Sequence, residues 1–358
     1  MTEIHAEQRR DLRGLAIQAG VFLAILAAAD VFLGFYAPGH FVPEQKLAAA
    51  VVLPGEVRPL VVTGDSRMVA AADFRVLEEG LKQKGVTRPL ADLTLGAVDC
   101  TGQAVTYRAY RAKAPAPAAV VMGVSGDSLL DPTEPLEPDL LVGNQAVVMV
   151  LSRPGDLLVH YPGFPLADLD RGLRFGLGRL TAMGVYRSLL WMKVRVIQDR
   201  IAGRAGGDNQ VNEFGLVGDM ANFAATLRAR ADERLRAARL PDGKGWRFNP
   251  WFERFRASLR EDRVPLVLVE LPMPSSYREN VTRAPGGRAL QEWIKQQAEA
   301  EGGTYLDLSD GPALGLTDDD FPDRLHMTHR AAELVSTRLA EELGRFLARK
   351  NPGTAAER

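Results

Sequence analysis

Two short polar motifs at opposite ends of the sequence contain the side chains of a serine nucleophile and its base. A Gly-Asp-Ser tripeptide ending at Ser66 directly follows a short apolar run, Leu60–Thr63. Near the other end, Asp323 and His326 form a D-x-x-H element. A serine is a weak nucleophile until a base takes its proton, and histidine does so near neutral pH. Since a carboxylate three residues upstream can hold the second imidazole nitrogen, these residues indicate a Ser-His-Asp catalytic set.

Each motif also has a plain structural explanation. Asp65 and Ser66 can simply cap the helix that the apolar spacing predicts over Val69–Gly80. A three-residue motif recurs by chance, and a second Gly-Asp-Ser ends at Ser128. The D-x-x-H element can be a loop aspartate beside a surface histidine. His329 is a rival base, which we expect to face outward from the first turn of the last helix.

Apolar runs alternate with helical patterns at the spacing of a parallel, three-layer α/β sheet. The predicted strands are Leu60–Thr63, Asp92–Gly96, Ala119–Val124, Val264–Leu271 and Thr304–Leu308. The predicted helices are Val69–Gly80, Thr101–Ala112, Trp251–Glu261, Ala289–Ala300 and Thr328–Ala348. In such sheets the sites gather beyond the carboxyl ends of the strands. We therefore expect Ser66, Gly96 and Ser125 to lie along one edge.

The N-terminal region predicts a membrane anchor. Gly14–Tyr36 is almost continuously apolar and long enough to span a bilayer. Three arginines precede this run, and no Lys or Arg follows it before Lys46. The positive-inside rule therefore places residues 1–13 in the cytoplasm and the rest outside the cell membrane. A signal peptide cleaved near Ala27–Ala29 and a buried helix of a soluble protein are the alternatives, but the length of the run favours an uncleaved anchor.

The remaining chain divides into a linker, one domain and a tail. Pro38, Pro43 and Pro54, with Pro59 just beyond them, predict a linker over residues 37–57. Residues 58–350 are predicted to form one α/β domain, followed by a tail at 351–358. Residues 125–263 are expected to be a helical insertion or cap within this domain. Inside it, Arg171–Arg204 is basic and amphipathic, which fits contact with anionic lipid, contact with a partner, or a solvated surface helix.

Composition excludes several classes of function. The net charge of -1 provides no overall basic field for a nucleic acid. Cys100 is the only cysteine, so neither an intramolecular disulfide nor a Cys/His zinc site can be assembled. The acids at 318–320 are expected to form a solvated loop rather than a set of metal ligands. No cofactor and no metal are expected for serine-based chemistry.

The two motifs together resemble those of the SGNH (GDSL-type) hydrolase superfamily. There, a G-D-S follows the first strand of an α/β domain and a D-x-x-H lies between the last strand and the final helix. The resemblance covers residues 58–124 and 264–348. It implies a flavodoxin-like sheet, with Ser66 as the nucleophile, His326 as the base and Asp323 as the partner that orients it.

The same resemblance suggests which groups bind the oxyanion. Gly96 matches the family's oxyanion-binding glycine, although an ordinary tight turn explains it as well. Asp65 and Ser125 complete the predicted oxyanion and substrate-binding set. The family's third motif, G-x-N-D, is G-V-S-G-D over 123–127 here, so its asparagine is absent. A missing oxyanion donor can cost roughly 2.7–4 kcal/mol of transition-state stabilisation, and Ser125 or a backbone N–H could substitute.

The anchor resembles that of a membrane-tethered branch of the superfamily, which includes the D-alanyl transfer protein of teichoic acid and the alginate O-acetyltransferase-like proteins. These act outside the membrane beside a polytopic membrane-bound O-acyltransferase, which is therefore the expected partner, with a glycan or acyl ester as substrate. The expected function is O-acetyl transfer to a cell-surface or exported polysaccharide through a Ser66 acyl-enzyme. The alternatives are an esterase or deacetylase with the same triad, and a catalytically silent assembly subunit, which the missing asparagine favours.

Overall fold

The computed structural model describes residues 2–36, 41–52, 58–96, 98–130 and 235–350, together with single residues between 147 and 231. The basic stretch Arg171–Arg204 lies outside the described residues, apart from a few single positions. The same holds for the tail at 351–358 and for most of the predicted insertion.

In the described part of the chain, five strands form one parallel sheet. They are β1 (Leu60–Gly64), β2 (Leu90–Thr94), β3 (Ala119–Val124), β4 (Leu266–Glu270) and β5 (Thr304–Asp307). Their order is β2-β1-β3-β4-β5, and every neighbouring pair is parallel. This is the order of flavodoxin-like doubly wound sheets, whose switch point lies between β1 and β3. The predicted α/β class with a mainly parallel sheet is confirmed.

Helices cover both faces of the sheet and make it three-layered. The helices of the described residues are α1 (Thr2–Tyr36), α2 (Val42–Val51), α3 (Ser66–Ala71), α4 (Phe74–Gln83), α5 (Cys100–Arg111), α6 (Pro250–Glu261), α7 (Pro285–Ala300) and α8 (His329–Lys350), of which α1 lies apart from the sheet. Short helical turns occupy Gly126–Leu129, Ser275–Tyr277, Arg278–Thr282, Pro312–Leu314 and Asp318–Asp320. Helices α5, α6 and α7 bury one face, and α3, α4 and α8 bury the other. Because both faces are covered, the strands are almost continuously apolar.

The helix predicted over Val69–Gly80 is two helices, α3 and α4, which are separated at Ala72 and Asp73. The Asp73 carboxylate accepts a hydrogen bond from the N–H of Val76 and so begins a new helix. Its own N–H donates to Ser336 Oγ at 2.8 Å, a partner on α8. The prediction of one continuous helix is therefore wrong. The local pattern could not show the break, because the partner of Asp73 lies 263 residues away in the sequence.

Part of the predicted linker at 37–57 is folded onto the sheet. Helix α2 buries its inner face in the core beside the edge strand β2. Lys46 Nζ lies 2.7 Å from the Asp92 carboxylate and donates to the Thr94 carbonyl at 2.8 Å. The linker prediction is therefore wrong for this segment. Pro43, which suggested a linker, lies in the first helical turn, where its missing N–H costs nothing.

The insertion ends earlier than the predicted boundary at residue 263. Helix α6 connects the insertion to β4 and packs against α5 as part of the layer that covers the sheet. The rings of Phe255 and Tyr107 meet edge to face at 5.3 Å in this contact. The sheet domain therefore resumes by residue 250, since α6 supplies core side chains.

Helix α1 contains a segment, Ile17–Phe35, that is long and apolar enough to span a membrane. Its mean hydropathy is 2.0, and none of it is buried against the rest of the protein. The large apolar side chains exposed on it include Leu23, Phe32 and Phe35. The orientation of this helix and its retention after export remain predictions.

Candidate active site

The turn that carries Ser66 is shaped by two glycines at the ends of neighbouring strands. Gly64 on β1 pairs with Gly123 on β3. Gly64 has φ of +147°, and a Cβ there would lie 2.5 Å from the Cβ of Met68. A Cβ at Gly123 would lie 2.5 Å from the Met68 sulfur. The fully buried Met68 fills the space that the glycines leave, so α3 lies close over the strand ends and Ser66 begins it at the sheet edge.

The structure brings Ser66, His326 and Asp323 into one hydrogen-bonded line. Ser66 Oγ lies 2.8 Å from His326 Nε2, and His326 Nδ1 lies 2.7 Å from Asp323 Oδ2. Only 2% of His326 is exposed. When Nδ1–H donates to the carboxylate, Nε2 is left as the acceptor for the serine proton. We call these three residues the triad.

The D-x-x-H loop holds the imidazole through its backbone as well as its side chains. Asp323 Oδ1 accepts hydrogen bonds from the N–H groups of Leu325 at 3.0 Å and His326 at 2.7 Å. Arg324, which lies between Asp323 and Leu325, takes φ of +62°, a left-handed conformation that is costly for a residue with a side chain. The loop is therefore folded tightly around the Asp323 carboxylate, which fixes the ring that faces Ser66.

The rival base, His329, lies on the first turn of α8 and is exposed, as expected. The acids of the preceding loop differ from the prediction in one respect. Asp320 is buried, and its carboxylate accepts hydrogen bonds from Thr317 N–H and Arg330 Nη2, both at 2.9 Å. These bonds secure the loop between β5 and α8. Within the described residues, no group of acidic, His or Cys side chains is arranged to hold a metal ion.

Asp65 and Ser125 lie close to the triad and share one partner, Arg67. The Asp65 carboxylate caps α3 through the Arg67 N–H at 2.9 Å and pairs with the guanidinium through Nε at 3.0 Å and through Nη2. Arg67 Nη1 donates to Ser125 Oγ at 2.6 Å. A carboxylate accepts hydrogen bonds and cannot donate them, so Asp65 itself does not provide an oxyanion donor.

The contacts continue from Ser125 into the core. Ser125 Oγ donates to Asp127 Oδ1 at 2.8 Å, and the Tyr277 hydroxyl donates to the same oxygen at 2.6 Å. All of these side chains except Asp65 are buried. We call Asp65, Arg67, Ser125, Asp127 and Tyr277 the Arg67 network. It joins the end of β1 to the end of β3, across the switch point of the sheet.

Gly96 lies just beyond β2, at the same edge of the sheet. Thr94 pairs with Gly64, and the N–H of Leu95 donates to the Gly64 carbonyl at 3.0 Å. Gly96 follows directly, is exposed, and has open space around it. Its position fits a backbone N–H donor to a group bound at Ser66, but its role as such a donor stays a prediction.

A buried acid, Glu270, ends β4 two strands away from Ser66. Burial raises its pKa to about 8, although hydrogen bonds from Tyr305 and from the N–H of Gly126 oppose this. The Tyr305 hydroxyl donates to Oε2 at 2.9 Å, and Gly126 N–H to Oε1 at 3.2 Å. The nearby charge of Asp127 further favours the neutral form of the acid.

Sequence reasoning assigned no function to Arg67, Asp127, Tyr277 or Glu270. For two of them, the sequence does contain a feature that could have indicated a function. Arg67 interrupts the apolar start of a buried helix, and Glu270 ends an apolar strand, so each is a charged residue in a buried position. We find no comparable signal for Tyr277, since its partner Asp127 is 150 residues away.

Comparisons with known proteins add little to this geometry. No protein-family model and no curated protein matches the chain. Among solved structures, the chain is similar to the lipase/acylhydrolase from Enterococcus faecalis, with 13% sequence identity and a TM-score of 0.30. The similarity covers 80% of this chain and 96% of that one. A similarity this distant carries no argument about the function of this chain.

Proposed function

We propose that this chain is a serine-dependent esterase or O-acyltransferase of the SGNH type, in which Ser66 is acylated. The observation that carries the proposal is the line from Ser66 Oγ to His326 Nε2 at 2.8 Å and from His326 Nδ1 to Asp323 Oδ2 at 2.7 Å. The serine and the histidine lie 260 residues apart in the sequence. Helix capping explains Asp65, but it requires no histidine at Ser66 Oγ.

The first half of the reaction transfers the acyl group to the enzyme. Ser66 Oγ attacks the carbonyl carbon of an ester while His326 Nε2 takes the serine proton, and the carbonyl oxygen becomes an oxyanion. Asp323 stabilises the imidazolium that forms. The tetrahedral intermediate then expels the alkoxide, which takes the serine proton from His326 and leaves as an alcohol. The products are the Ser66 ester and the free alcohol.

The second half determines whether the enzyme is a hydrolase or a transferase. His326 takes a proton from the incoming nucleophile, which attacks the Ser66 ester. When the tetrahedral intermediate collapses, His326 gives this proton to Ser66 Oγ and the free serine is restored. Water gives a carboxylic acid, whereas a sugar hydroxyl gives an O-acylated glycan. The two outcomes depend on which acceptor is held at the site and on how well water is excluded from it.

We further propose that the reaction is O-acetyl transfer to a polysaccharide outside the cell membrane, with a polytopic membrane-bound O-acyltransferase as partner. Two observations support this choice. Ile17–Phe35 is apolar enough to hold the domain at a membrane. The motifs and the anchor together resemble the membrane-tethered branch of the SGNH superfamily.

An acyl-enzyme trap tests the proposal. The full-length chain in detergent micelles is incubated with p-nitrophenyl acetate, and the adduct is weighed as intact protein and mapped by peptide analysis. We expect one acetyl group on Ser66, which Ser66→Ala abolishes and His326→Ala slows by roughly 10²–10⁴-fold, the usual contribution of a general base. Ser128→Ala is the matched control, because Ser128 ends the second Gly-Asp-Ser.

A second arm adds acceptor oligosaccharides and compares released acetate with acetylated glycan. Acetylated glycan would support the transferase, and acetate alone would support the esterase. A folded protein that takes up no acetyl group at Ser66 would contradict both and favour a silent assembly subunit.

A further inference from the structure

Arg67, the residue after Ser66, is a buried cation whose presence the triad does not explain. Only 8% of it is exposed, and a buried charge is costly unless it is paired. The neighbouring positions Met68, Ala70 and Ala71 are buried and apolar, as expected for the inner face of a short helix. An arginine in this position therefore needs an explanation based on its charge.

Ser125 is not available as the donor that would replace the missing asparagine. Its hydroxyl donates to Asp127 Oδ1 at 2.8 Å and accepts from Arg67 Nη1 at 2.6 Å. A serine hydroxyl carries a single proton. While that proton is on the bond to Asp127, none is left for the oxygen of a substrate.

Arg67, in contrast, has donors left over. An arginine carries one N–H on Nε and two on each terminal nitrogen. Nε and Nη2 bond to Asp65, and Nη1 bonds to Ser125. These bonds leave one N–H on each terminal nitrogen without a hydrogen bond to any described residue.

The guanidinium is also in the right place. It extends from Asp65, just beyond β1, to Ser125, just beyond β3, and these strands are neighbours in the sheet. The gap between them is the switch point, where doubly wound sheets bind their ligands. Ser66 begins α3 directly beyond β1, so we expect an acyl group attached to its Oγ to lie beside this gap.

The positive charge of Arg67 is secured by its surroundings. Burial alone would lower the pKa of the guanidinium, but the charge and the hydrogen bonds of Asp65 raise it above its ordinary value. Asp127 and Tyr277 act in the same direction. The side chain is therefore a fixed cation.

We propose that Arg67 donates a hydrogen bond to the oxyanion that forms when Ser66 attacks an acyl group. This inference rests on the proposed acyl chemistry. Asp65 and Ser125 hold the guanidinium, which takes the place of an asparagine amide in the oxyanion site. Because charge-assisted hydrogen bonds are roughly twice as strong as neutral ones, a single arginine N–H is an adequate replacement.

The first test measures kcat and KM for p-nitrophenyl acetate in the full-length chain. We expect Arg67→Gln to lower kcat by roughly 10²–10³-fold with little change in KM, as for the loss of an oxyanion donor. Arg67→Lys keeps the charge and should lose less. Ser125→Asn in the Arg67→Gln background restores an amide and should recover part of kcat. Arg75→Gln, an exposed arginine on α4, is the control.

The second test reports on the oxyanion directly. A trifluoromethyl ketone adds to Ser66 Oγ, its carbonyl oxygen becomes the hemiketal oxygen, and the serine proton passes to His326. The pH dependence of the fluorine NMR shift then gives the pKa of the hemiketal. Loss of a nearby cation should raise that pKa by roughly one to three pH units in Arg67→Gln. A purely structural role of Arg67 would leave it unchanged.

The outcomes separate this inference from the proposed function. If the wild-type chain is folded yet neither hydrolyses the ester nor binds the ketone, both proposals are wrong. If the wild type is active and Arg67→Gln keeps kcat within threefold with an unchanged hemiketal pKa, only the role of Arg67 is wrong. If Arg67→Gln does not fold, the same two criteria are applied to Arg67→Met, which removes the charge and fills the buried position with an apolar side chain.

Discussion

The two sides of the switch point between β1 and β3 are built from different kinds of contact. On the Ser66 side, the triad depends on one tight loop, in which Asp323 holds both the ring and the backbone of His326. On the Ser125 side, the Arg67 network links groups from three separate parts of the chain. In the proposed reaction, the first arrangement positions a base that must gain and lose a proton. The second keeps a fixed charge in place, so it needs buried partners instead of a titrating group.

The largest expected contrast comes from changing one carboxylate on each side to an amide. Asp323→Asn should lower kcat by roughly 10⁴-fold, because the amide cannot stabilise the imidazolium and favours the wrong tautomer. Its effect on stability should stay below about 1 kcal/mol, since the amide oxygen can still accept from the loop N–H groups. Asp127→Asn should instead lower the free energy of unfolding by roughly 1–3 kcal/mol, as expected for a disturbed buried network.

Steady-state kinetics and urea unfolding of both variants check this contrast. An Asp127→Asn protein with unchanged stability and a kcat as low as that of Asp323→Asn would break the comparison. It would then place Asp127 in the proton-transfer machinery.

A second prediction concerns the pH dependence of stability through Glu270. Its pKa is about 8 in the folded protein, against 4.5 for the free side chain. Between these values the folded protein keeps a proton that the unfolded chain releases. Stability should therefore fall as pH rises from about 4.5 to about 8, by up to roughly 1.4 kcal/mol per pH unit, and be unaffected by this group below that window.

Glu270→Gln should remove this pH dependence, because an amide does not titrate. Thermal unfolding of the wild type and of Glu270→Gln across the same pH series measures this pH dependence. Parallel curves for the wild type and Glu270→Gln would show that the acid is ionised in the folded state.

The smallest effect is expected from Tyr277→Phe. This change removes one hydrogen bond to Asp127 and leaves the ring in place, so it should cost roughly 1–2 kcal/mol of stability. If the network acts through Arg67, kcat should fall as well, but less than in Arg67→Gln. Activity and urea midpoints of the single and double variants measure the coupling, and strictly additive effects on kcat would argue against a connection between the two residues.

The sequence predicted the sheet well because its signal is local. Strands buried on both faces are apolar runs, and the bounds of β3 agree at both ends with the predicted Ala119–Val124. It also singled out the three residues that form the line from Ser66 to Asp323, since each lies in a short motif. The break between α3 and α4 and the folding of α2 onto β2 were missed, because both depend on partners far along the chain.

The Arg67 network was missed for the same reason. The Arg67 and Ser125 side chains meet over 58 residues of sequence, and the Tyr277 and Asp127 side chains over 150. A pattern in a short stretch of sequence cannot predict a contact between side chains that lie so far apart in the chain. What the sequence does contain is a charged residue where an apolar one is expected, and this signal is worth testing at buried helix starts in general.

The packing of Met68 between Gly64 and Gly123 also has a consequence for sequence variation among relatives. Each glycine is needed because the methionine occupies the space of its Cβ, and the methionine is needed because two glycines leave that space empty. A change at one of the three positions should therefore survive mainly when another changes with it. Relatives with a smaller residue at position 68 are the ones in which a side chain at 123 can be tolerated, whereas position 64 should stay glycine because its backbone conformation demands it.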